Sequence, residues 1–174
     1  MENSKQKIVL TGFMGVGKSS VARHLAYLLR CEQIDLDDFI VNQEQQEIAQ
    51  ILQTVGERRF RQIETENLCK LLQANDAPIL SLGGGTWTIA ENRRMIKNHN
   101  FTSVWLESSF EHCWQNIKFS KKERPLAKNK TAARFLFDER EKIYCLADWH
   151  FLVRPGFTSF DTAKLIAEEV FCKI

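Results

Sequence analysis

The chain has 174 residues, of which 44% are hydrophobic and 26% are charged, which fits one folded domain and excludes an intrinsically disordered chain. Its 24 lysines and arginines nearly balance 22 aspartates and glutamates, so the net charge of +2 gives no indication of nucleic-acid binding. No apolar run approaches the roughly 20 residues of a membrane span, and the first is too short for a secretory signal, so we expect a cytoplasmic protein without a membrane partner.

Short apolar segments alternate along the chain with stretches of helical periodicity. The predicted strands are 7–11, 33–36, 78–82, 101–106 and 149–153. The predicted helices are 19–30, 56–72, 91–98, 131–147 and 158–171. This alternation predicts βαβ units and a parallel sheet covered by helices on both faces. In such sheets ligands bind beyond the carboxyl ends of the strands.

The first predicted strand runs directly into the phosphate-binding pattern G-x-x-x-x-G-K-S at residues 12–19, and a predicted helix follows it. Glycines allow backbone N–H groups to approach phosphate oxygens, and the start of a helix favours an anion. Lys18 can reach the β- and γ-phosphates, and the Ser19 hydroxyl can bind Mg²⁺. The predicted ATP contacts of this loop are Gly12, Gly15, Val16, Gly17, Lys18, Ser19 and Ser20.

The rest of the sequence narrows the class of P-loop protein. A GTPase should carry D-x-x-G and N-K-x-D, but no aspartate has a glycine three residues later, and 129–132 reads N-K-T-A. Motor and AAA-type ATPases should end an apolar strand in aspartate, whereas 78–82 ends in glycines and 101–106 is followed by Glu107. The class of P-loop protein that remains is the small kinases, which transfer the γ-phosphoryl group to a second substrate.

Four further motifs follow in order: D-L-D at 35–37, G-E-R-R-F-R-Q-I-E at 56–64, S-L-G-G-G at 81–85 and R-P-L at 124–126. Together with Arg140 they resemble shikimate kinase over essentially the whole chain. The resemblance implies a three-layer α/β/α fold like that of nucleoside monophosphate kinases, with a five-stranded parallel sheet and a lid. It also implies transfer of the ATP γ-phosphate to the 3-hydroxyl of shikimate.

The resemblance assigns roles to several polar residues. Asp35 would serve Mg²⁺ together with Ser19, and Asp37 would hold the attacking hydroxyl and accept its proton. If the segment is extended, Asp35 and Asp37 share one face of it. Arg61 and Arg140 would grip the shikimate carboxylate, since two planar guanidinium groups can fix its orientation. These residues define a substrate-binding region at about 35–64.

Backbone N–H groups of the glycine run are expected to approach the acceptor, at Gly83, Gly84 and Gly85. The segment 118–130 carries six basic residues against one glutamate and is the expected lid. Its Arg124 would close over the γ-phosphate and exclude water, which favours transfer over hydrolysis. Lys18, Asp37 and Arg124 are therefore the predicted catalytic residues, and we interpret most of the lid lysines as solvated.

Some features stay open at this level. Five widely spaced cysteines, an odd number, favour reduced thiols over zinc binding or a disulfide framework. Leu52 stands where family members often have phenylalanine, and Trp87 could border the acceptor. Lys118 and residues 154–156 are weak candidates for adenine contact. Gluconate or a nucleoside monophosphate is an alternative acceptor, and a non-catalytic nucleotide- or RNA-binding module is a further alternative. The favoured reading is a monomer that uses ATP, shikimate and Mg²⁺ and binds no nucleic acid.

Overall fold

A computed structural model describes residues 6–74, 77–154 and 156–171. The start of the chain, Pro155 of the weak 154–156 candidate and Cys172 lie outside the described residues. Five strands form one sheet: β1 (Lys7–Thr11), β2 (Gln33–Asp35), β3 (Ile79–Ser81), β4 (Phe101–Glu107) and β5 (Trp149–Leu152). All neighbouring strands are parallel, in the order β2-β3-β1-β4-β5. The predicted five-stranded parallel sheet is therefore confirmed.

Helices cover both faces of this sheet. They are α1 (Lys18–Leu29), α2 (Leu36–Glu44), α3 (Ile48–Ala74), α4 (Ala90–Asn98), α5 (Phe110–Phe119), α6 (Lys130–Tyr144) and α7 (Ser159–Phe171). Within the described ranges, no helix combines the length and apolar character needed to span a membrane. Because helices cover both faces, three successive residues of the central strand β1 are fully buried: Ile8, Val9 and Leu10. A strand covered on one face only would bury every second residue.

Strand register brings the ends of three strands to one place. Leu10 of β1 pairs with Ser81 of β3, and Ser81 pairs in turn with Asp35 of β2. The loop after β1, the glycine run after β3 and the start of α2 therefore meet at the carboxyl edge of the sheet. That edge is where a parallel α/β protein binds its ligands.

The structure corrects the predicted elements around α2 and α3. The segment after β2 is not extended, because α2 begins at Leu36 and places Asp37 in its first turn. The shared strand face proposed for Asp35 and Asp37 is therefore wrong. Helix α3 begins well before the predicted start and bends at Gly56, whose φ of 76° is non-helical. Helix α5 was not predicted, and α6 ends at Tyr144 rather than at residue 147.

Candidate active site

The loop between β1 and α1 adopts a conformation that needs its glycines. Gly15 has φ 81°, and a Cβ atom there would lie 2.5 Å from the carbonyl oxygen of Cys113. Gly17 has φ 103° and directly precedes α1. Side chains at these positions would meet backbone or adopt a strained left-handed conformation. The loop is thus shaped to present N–H groups and a helix N-terminus to an anion.

Lys18 is folded back over this loop. Its Nζ donates to the carbonyl oxygen of Gly12 at 2.8 Å and to that of Phe13 at 3.1 Å. Burial lowers the pKa of Lys18 to about 8, with the positive charge of Arg124 adding to the effect and nearby carboxylates opposing it. A buried cation that is poorly compensated attracts phosphate, because an anion restores the stability of its charged form.

Ser19 and Asp35 form a compact oxygen cluster beside the loop. The Ser19 Oγ donates to Asp35 Oδ2 at 2.5 Å, while Asp35 Oδ1 accepts from the backbone N–H of Asp37 at 3.0 Å and caps α2. Asp35 is also paired in register with Ser81, whose buried hydroxyl has no hydrogen-bond partner among the residues described. Hydroxyl and carboxylate oxygens are ligands that suit Mg²⁺, so this donor set fits the predicted metal.

Asp37 joins the expected lid segment to the carboxyl edge of the sheet. Its Oδ2 accepts from Lys122 Nζ at 3.0 Å, and its Oδ1 would be 2.9 Å from a Cβ atom placed on Gly83. The lysine is 46% exposed and the aspartate 19%. We interpreted most lysines of the 118–130 segment as solvated, and Lys122 is exposed but also pairs with Asp37. The only signal in the sequence was the excess of positive charge in the segment, which does not single out one lysine.

Arg61 is held by carboxylates on its own helix. Its Nη1 donates to Glu64 at 2.7 Å and its Nη2 to Glu57 at 3.4 Å. Glu64 is almost fully buried and accepts a further hydrogen bond from the Thr86 hydroxyl at 2.7 Å. Burial opposes the charge on Arg61, but Glu64 and Glu57 together more than offset this and raise the pKa of the guanidinium. The group is therefore charged and fixed in place.

Arg140 is the less compensated of the two predicted carboxylate ligands. Only 6% of the residue is exposed, and burial lowers its pKa, with Tyr144 opposing and the neighbouring Arg61 adding to the shift. Burial also raises the pKa of Tyr144 to about 12, so its hydroxyl stays protonated and donates to the carbonyl oxygen of Gly84. The structure thus brings Arg61 and Arg140 close enough to repel each other, an arrangement that favours an anion between them.

The glycine run leaves room for these guanidinium groups. A Cβ atom on Gly84 would lie 3.2 Å from Arg140 Nη1, and one on Gly85 would lie 2.5 Å from the central carbon and both terminal nitrogens of Arg61. We expected the glycines to expose backbone N–H groups to the acceptor. The structure shows a further reason for glycine at these positions: a side chain at Gly84 or Gly85 would collide with the predicted substrate-binding arginines.

Arg124 precedes a 3₁₀ turn, Pro125–Ala127, in the lid. Burial lowers the pKa of this guanidinium, against the opposing attraction of Asp37 and Asp35. Its Nε is buried and has no hydrogen-bond partner among the described residues. Arg124 therefore brings an unsatisfied donor to the same edge of the sheet as Lys18.

Two adjoining clefts meet at this edge. One is lined by the phosphate loop, Asp35 and Asn116, and the other by Arg61, Arg140 and Leu52. Six residues line both clefts: Met14, Asp37, Gly83, Gly84, Lys122 and Arg124. The two clefts therefore share a wall, so groups bound in them would lie next to each other.

Other predicted positions fall differently. Leu52 lines the second cleft as expected, whereas Trp87 lines a separate cavity and does not border it. Asn116 of α5 lines the first cleft and donates to the carbonyl oxygen of Gly15 at 2.7 Å, and the sequence gave no signal for it. Lys118, the candidate for adenine contact on the same helix, is not among the residues lining that cleft.

Comparison with known proteins identifies the family. The family model for shikimate kinase matches residues 14–171. The chain belongs to the shikimate kinase family. It is 40% identical over 139 residues to the shikimate kinase of Streptococcus thermophilus, which covers 78% of this chain and 83% of the relative.

Solved structures agree with the family assignment. A shikimate kinase from Acinetobacter baumannii in complex with shikimate superposes with a TM-score of 0.89 and 32% identity, over 97% of this chain and 94% of that one. A gluconokinase from Sinorhizobium meliloti gives a TM-score of 0.59 at 14% identity, over 96% of each chain. The second likeness shows a shared fold alone.

Proposed function

We propose that this shikimate kinase transfers the γ-phosphoryl group of ATP to the 3-hydroxyl of shikimate, producing shikimate 3-phosphate and ADP for aromatic amino acid synthesis. The observation that carries the proposal is the adjacency of two buried guanidinium groups to a phosphate loop, with Asp37 on the wall common to both clefts. A small acid with hydroxyl groups is the ligand that matches such a cleft.

In the nucleotide cleft the loop N–H groups and Lys18 bind the ATP phosphates. Lys18 exchanges its bonds to loop carbonyl oxygens for phosphate oxygens, which favour its protonated form. Arg124 supplies a second cation, and its unsatisfied Nε gains a partner from the γ-phosphate. Ser19 and Asp35 are the residues that would hold Mg²⁺, which when bound neutralises charge on the phosphates.

In the acceptor cleft the carboxylate of shikimate lies between Arg61 and Arg140. Glu64 and Tyr144 fix the surroundings of these two residues, so the acid binds in one orientation. Asp37 then accepts a hydrogen bond from the 3-hydroxyl, in place of its ion pair with Lys122. This displaced lysine stays beside the transferred group, because it lines both clefts.

The transfer itself is a single displacement. A lone pair of the 3-hydroxyl oxygen attacks the γ-phosphorus, the bond from that phosphorus to the β,γ-bridging oxygen breaks, and ADP leaves. The hydroxyl proton passes to Asp37. Positioning and charge neutralisation by Lys18 and Arg124 account for most of the acceleration, because phosphoryl transfer asks little covalent chemistry of the protein.

An ADP-release assay with shikimate, gluconate and nucleoside monophosphates, each with and without Mg²⁺, tests this proposal. We expect rapid release with shikimate alone among the acceptors, and only with the metal. Equal or faster turnover of gluconate would assign the acceptor cleft to a different substrate. Salt-sensitive RNA binding without any ADP release would instead support a non-catalytic module.

We further propose the organisation that goes with this function. The chain acts as one domain and as a cytoplasmic monomer, without nucleic-acid or membrane partners. Residues 35–64 form the substrate-binding region, and residues 118–130 form a lid that closes when both substrates are bound. The pairing of Lys122 with Asp37 supports the lid assignment, because it joins that segment to the acceptor region.

A further inference from the structure

The ion pair between Lys122 and Asp37 joins the expected lid to the residue proposed as the base. Lys122 Nζ donates to Asp37 Oδ2 at 3.0 Å. No other lysine or arginine among the residues described forms an ion pair with Asp37. The carboxylate that is to accept the hydroxyl proton is therefore already paired when the clefts hold no substrate.

The backbone around Lys122 is stabilised on both sides. Its N–H donates to the Ser120 Oγ at 3.1 Å, which forms a short side-chain turn before it. Two residues later Arg124 leads into the 3₁₀ turn, where its carbonyl oxygen accepts from the N–H of Ala127 at 2.9 Å. The position of the lysine thus follows from local hydrogen bonds of the lid as well as from its contact with Asp37.

The surroundings of Asp37 make Oδ2 the oxygen that matters for proton transfer. Asp37 Oδ1 lies against the glycine run, because a Cβ atom on Gly83 would be only 2.9 Å from it. Oδ2 is the oxygen that accepts from Lys122. A water molecule that enters the clefts must therefore compete with the lysine before it can donate a hydrogen bond to Oδ2.

An acceptor that is anchored elsewhere competes better than water does. The lysine is 46% exposed, and ion pairs at this level of exposure contribute little stability, so the pair can be displaced. An acid bound by Arg61 and Arg140 holds its hydroxyl group at a fixed place, which raises the effective concentration of that group. Water has no such anchor. Lys122 lines both clefts, so it can release Asp37 and remain in the site.

We propose that Lys122 keeps Asp37 from acting as a base until the hydroxyl of an anchored acceptor displaces it. This inference rests on the proposed function and adds a reason why ATP is not hydrolysed. In hydrolysis a lone pair of water attacks the γ-phosphorus, the bond to the β,γ-bridging oxygen breaks, ADP leaves and the water proton passes to Asp37. While Lys122 holds Oδ2, the carboxylate cannot orient that water. Lys122 is thus a positioning residue that selects the acceptor over water.

Release of inorganic phosphate from ATP and Mg²⁺ without shikimate tests the proposal. Lys122→Met removes the charge and keeps an unbranched side chain. Its control is Lys121→Met, which makes the same change at the adjacent lid lysine, an exposed residue that lines neither cleft. We expect Lys122→Met to raise hydrolysis about fivefold or more, and Lys121→Met to match the unmodified enzyme. Lys122→Arg, which can keep the ion pair, should stay close to the unmodified enzyme.

A second variant shows whether the added hydrolysis runs through Asp37. In Lys122→Met/Asp37→Asn we expect hydrolysis to return to the rate of the unmodified enzyme. Unchanged hydrolysis in Lys122→Met, an equal rise in Lys121→Met, or a rise that persists without the Asp37 carboxylate would each overturn the proposal. Thermal melts check that every variant is folded, which the exposed positions of both lysines favour.

The same preparations separate this proposal from the proposed function. Release of ADP by the unmodified enzyme is measured with shikimate beside the hydrolysis assay, which itself needs no acceptor. Failure of shikimate to stimulate release would count against the proposed function, whereas the comparison of Lys122→Met with Lys121→Met would still report on the contact with Asp37.

Discussion

Replacement of Gly85 by alanine tests whether the glycine run exists to make room for Arg61. The backbone of Gly85 has φ −105° and ψ −15°, which alanine adopts without strain. The added methyl group would lie 2.5 Å from the guanidinium carbon and from both terminal nitrogens. An ordinary contact needs at least 3.4 Å, so the guanidinium must move by roughly 1 Å.

A shift of this size should weaken shikimate binding and leave the stability of the fold nearly unchanged. The guanidinium ends a flexible side chain, so we expect little change in melting temperature. Its proposed hydrogen bond to the shikimate carboxylate is charge-assisted, and the loss of one such bond costs about 1.5–3 kcal/mol, or roughly 10- to 150-fold in the KM for shikimate. The KM for ATP should not change, and kcat should fall less, because the carboxylate is remote from the reacting hydroxyl.

Steady-state kinetics on a double-mutant cycle provide the assay. Gly85→Ala, Arg61→Ala and the double variant are compared with the unmodified enzyme. If the methyl group acts by displacing Arg61, then Gly85→Ala has almost no effect once Arg61 is alanine. An equal loss in both backgrounds would refute this reasoning and assign the role of Gly85 to its own backbone N–H.

Three further predictions concern the reacting groups and their support. The pKa of Lys18 is lowered to about 8, and ATP favours its charged form. The lysine is therefore protonated before binding at pH 7, but above pH 8 it must take up a proton when ATP binds. The affinity for ATP should then fall by up to roughly tenfold per pH unit. Calorimetry in buffers of different ionisation enthalpy would detect that uptake, and a flat profile to pH 9.5 would contradict it. Asp37→Asn should lower kcat by about 10²–10⁴ with little change in the KM for ATP, as measured by ADP release, and near-normal turnover would remove Asp37 from the role of base. Tyr144→Phe leaves the Gly84 carbonyl oxygen without its donor and should destabilise the fold by about 1–3 kcal/mol in urea unfolding, whereas an unchanged midpoint would show that the hydrogen bond contributes nothing.

The sequence alone predicts those parts of the site whose residues are close together along the chain. The phosphate loop could be predicted because strand, glycines, Lys18 and helix are contiguous, and their spacing alone defines the anion site. Strands β1, β3 and β4 were found because they are largely buried and rich in apolar residues, whereas β2 and β5 are short and more exposed and were found from the alternation with helices. The resemblance to shikimate kinase then singled out residues on distant elements, and the structure places Arg61 and Arg140 together.

Features that depend on distant partners could not be predicted in this way. Helix α2 was missed because Asp35 is both the last residue of β2 and the cap of α2, and only its side-chain bonds to the N–H groups of Asp37 and Asp38 show that a helix begins there. Lys122 is one of several lid lysines, and only the folded chain shows which of them contacts Asp37. The position of Trp87 next to the glycine run suggested the acceptor, whereas its indole N–H donates to Ile143 of α6 and the residue lines a separate cavity.

The crowding behind the glycine run restricts how acceptor preference can be redesigned. Any side chain added at Gly84 or Gly85 pushes on a guanidinium group, so this wall cannot be reshaped without loss of the anion contact. Freedom to accommodate a larger or differently substituted ring lies at Ile48 and Leu52, which also line the cleft, whereas the Phe60 ring packs against the Arg61 guanidinium. Libraries aimed at unnatural acids should therefore vary Ile48 and Leu52 and leave the glycines unchanged.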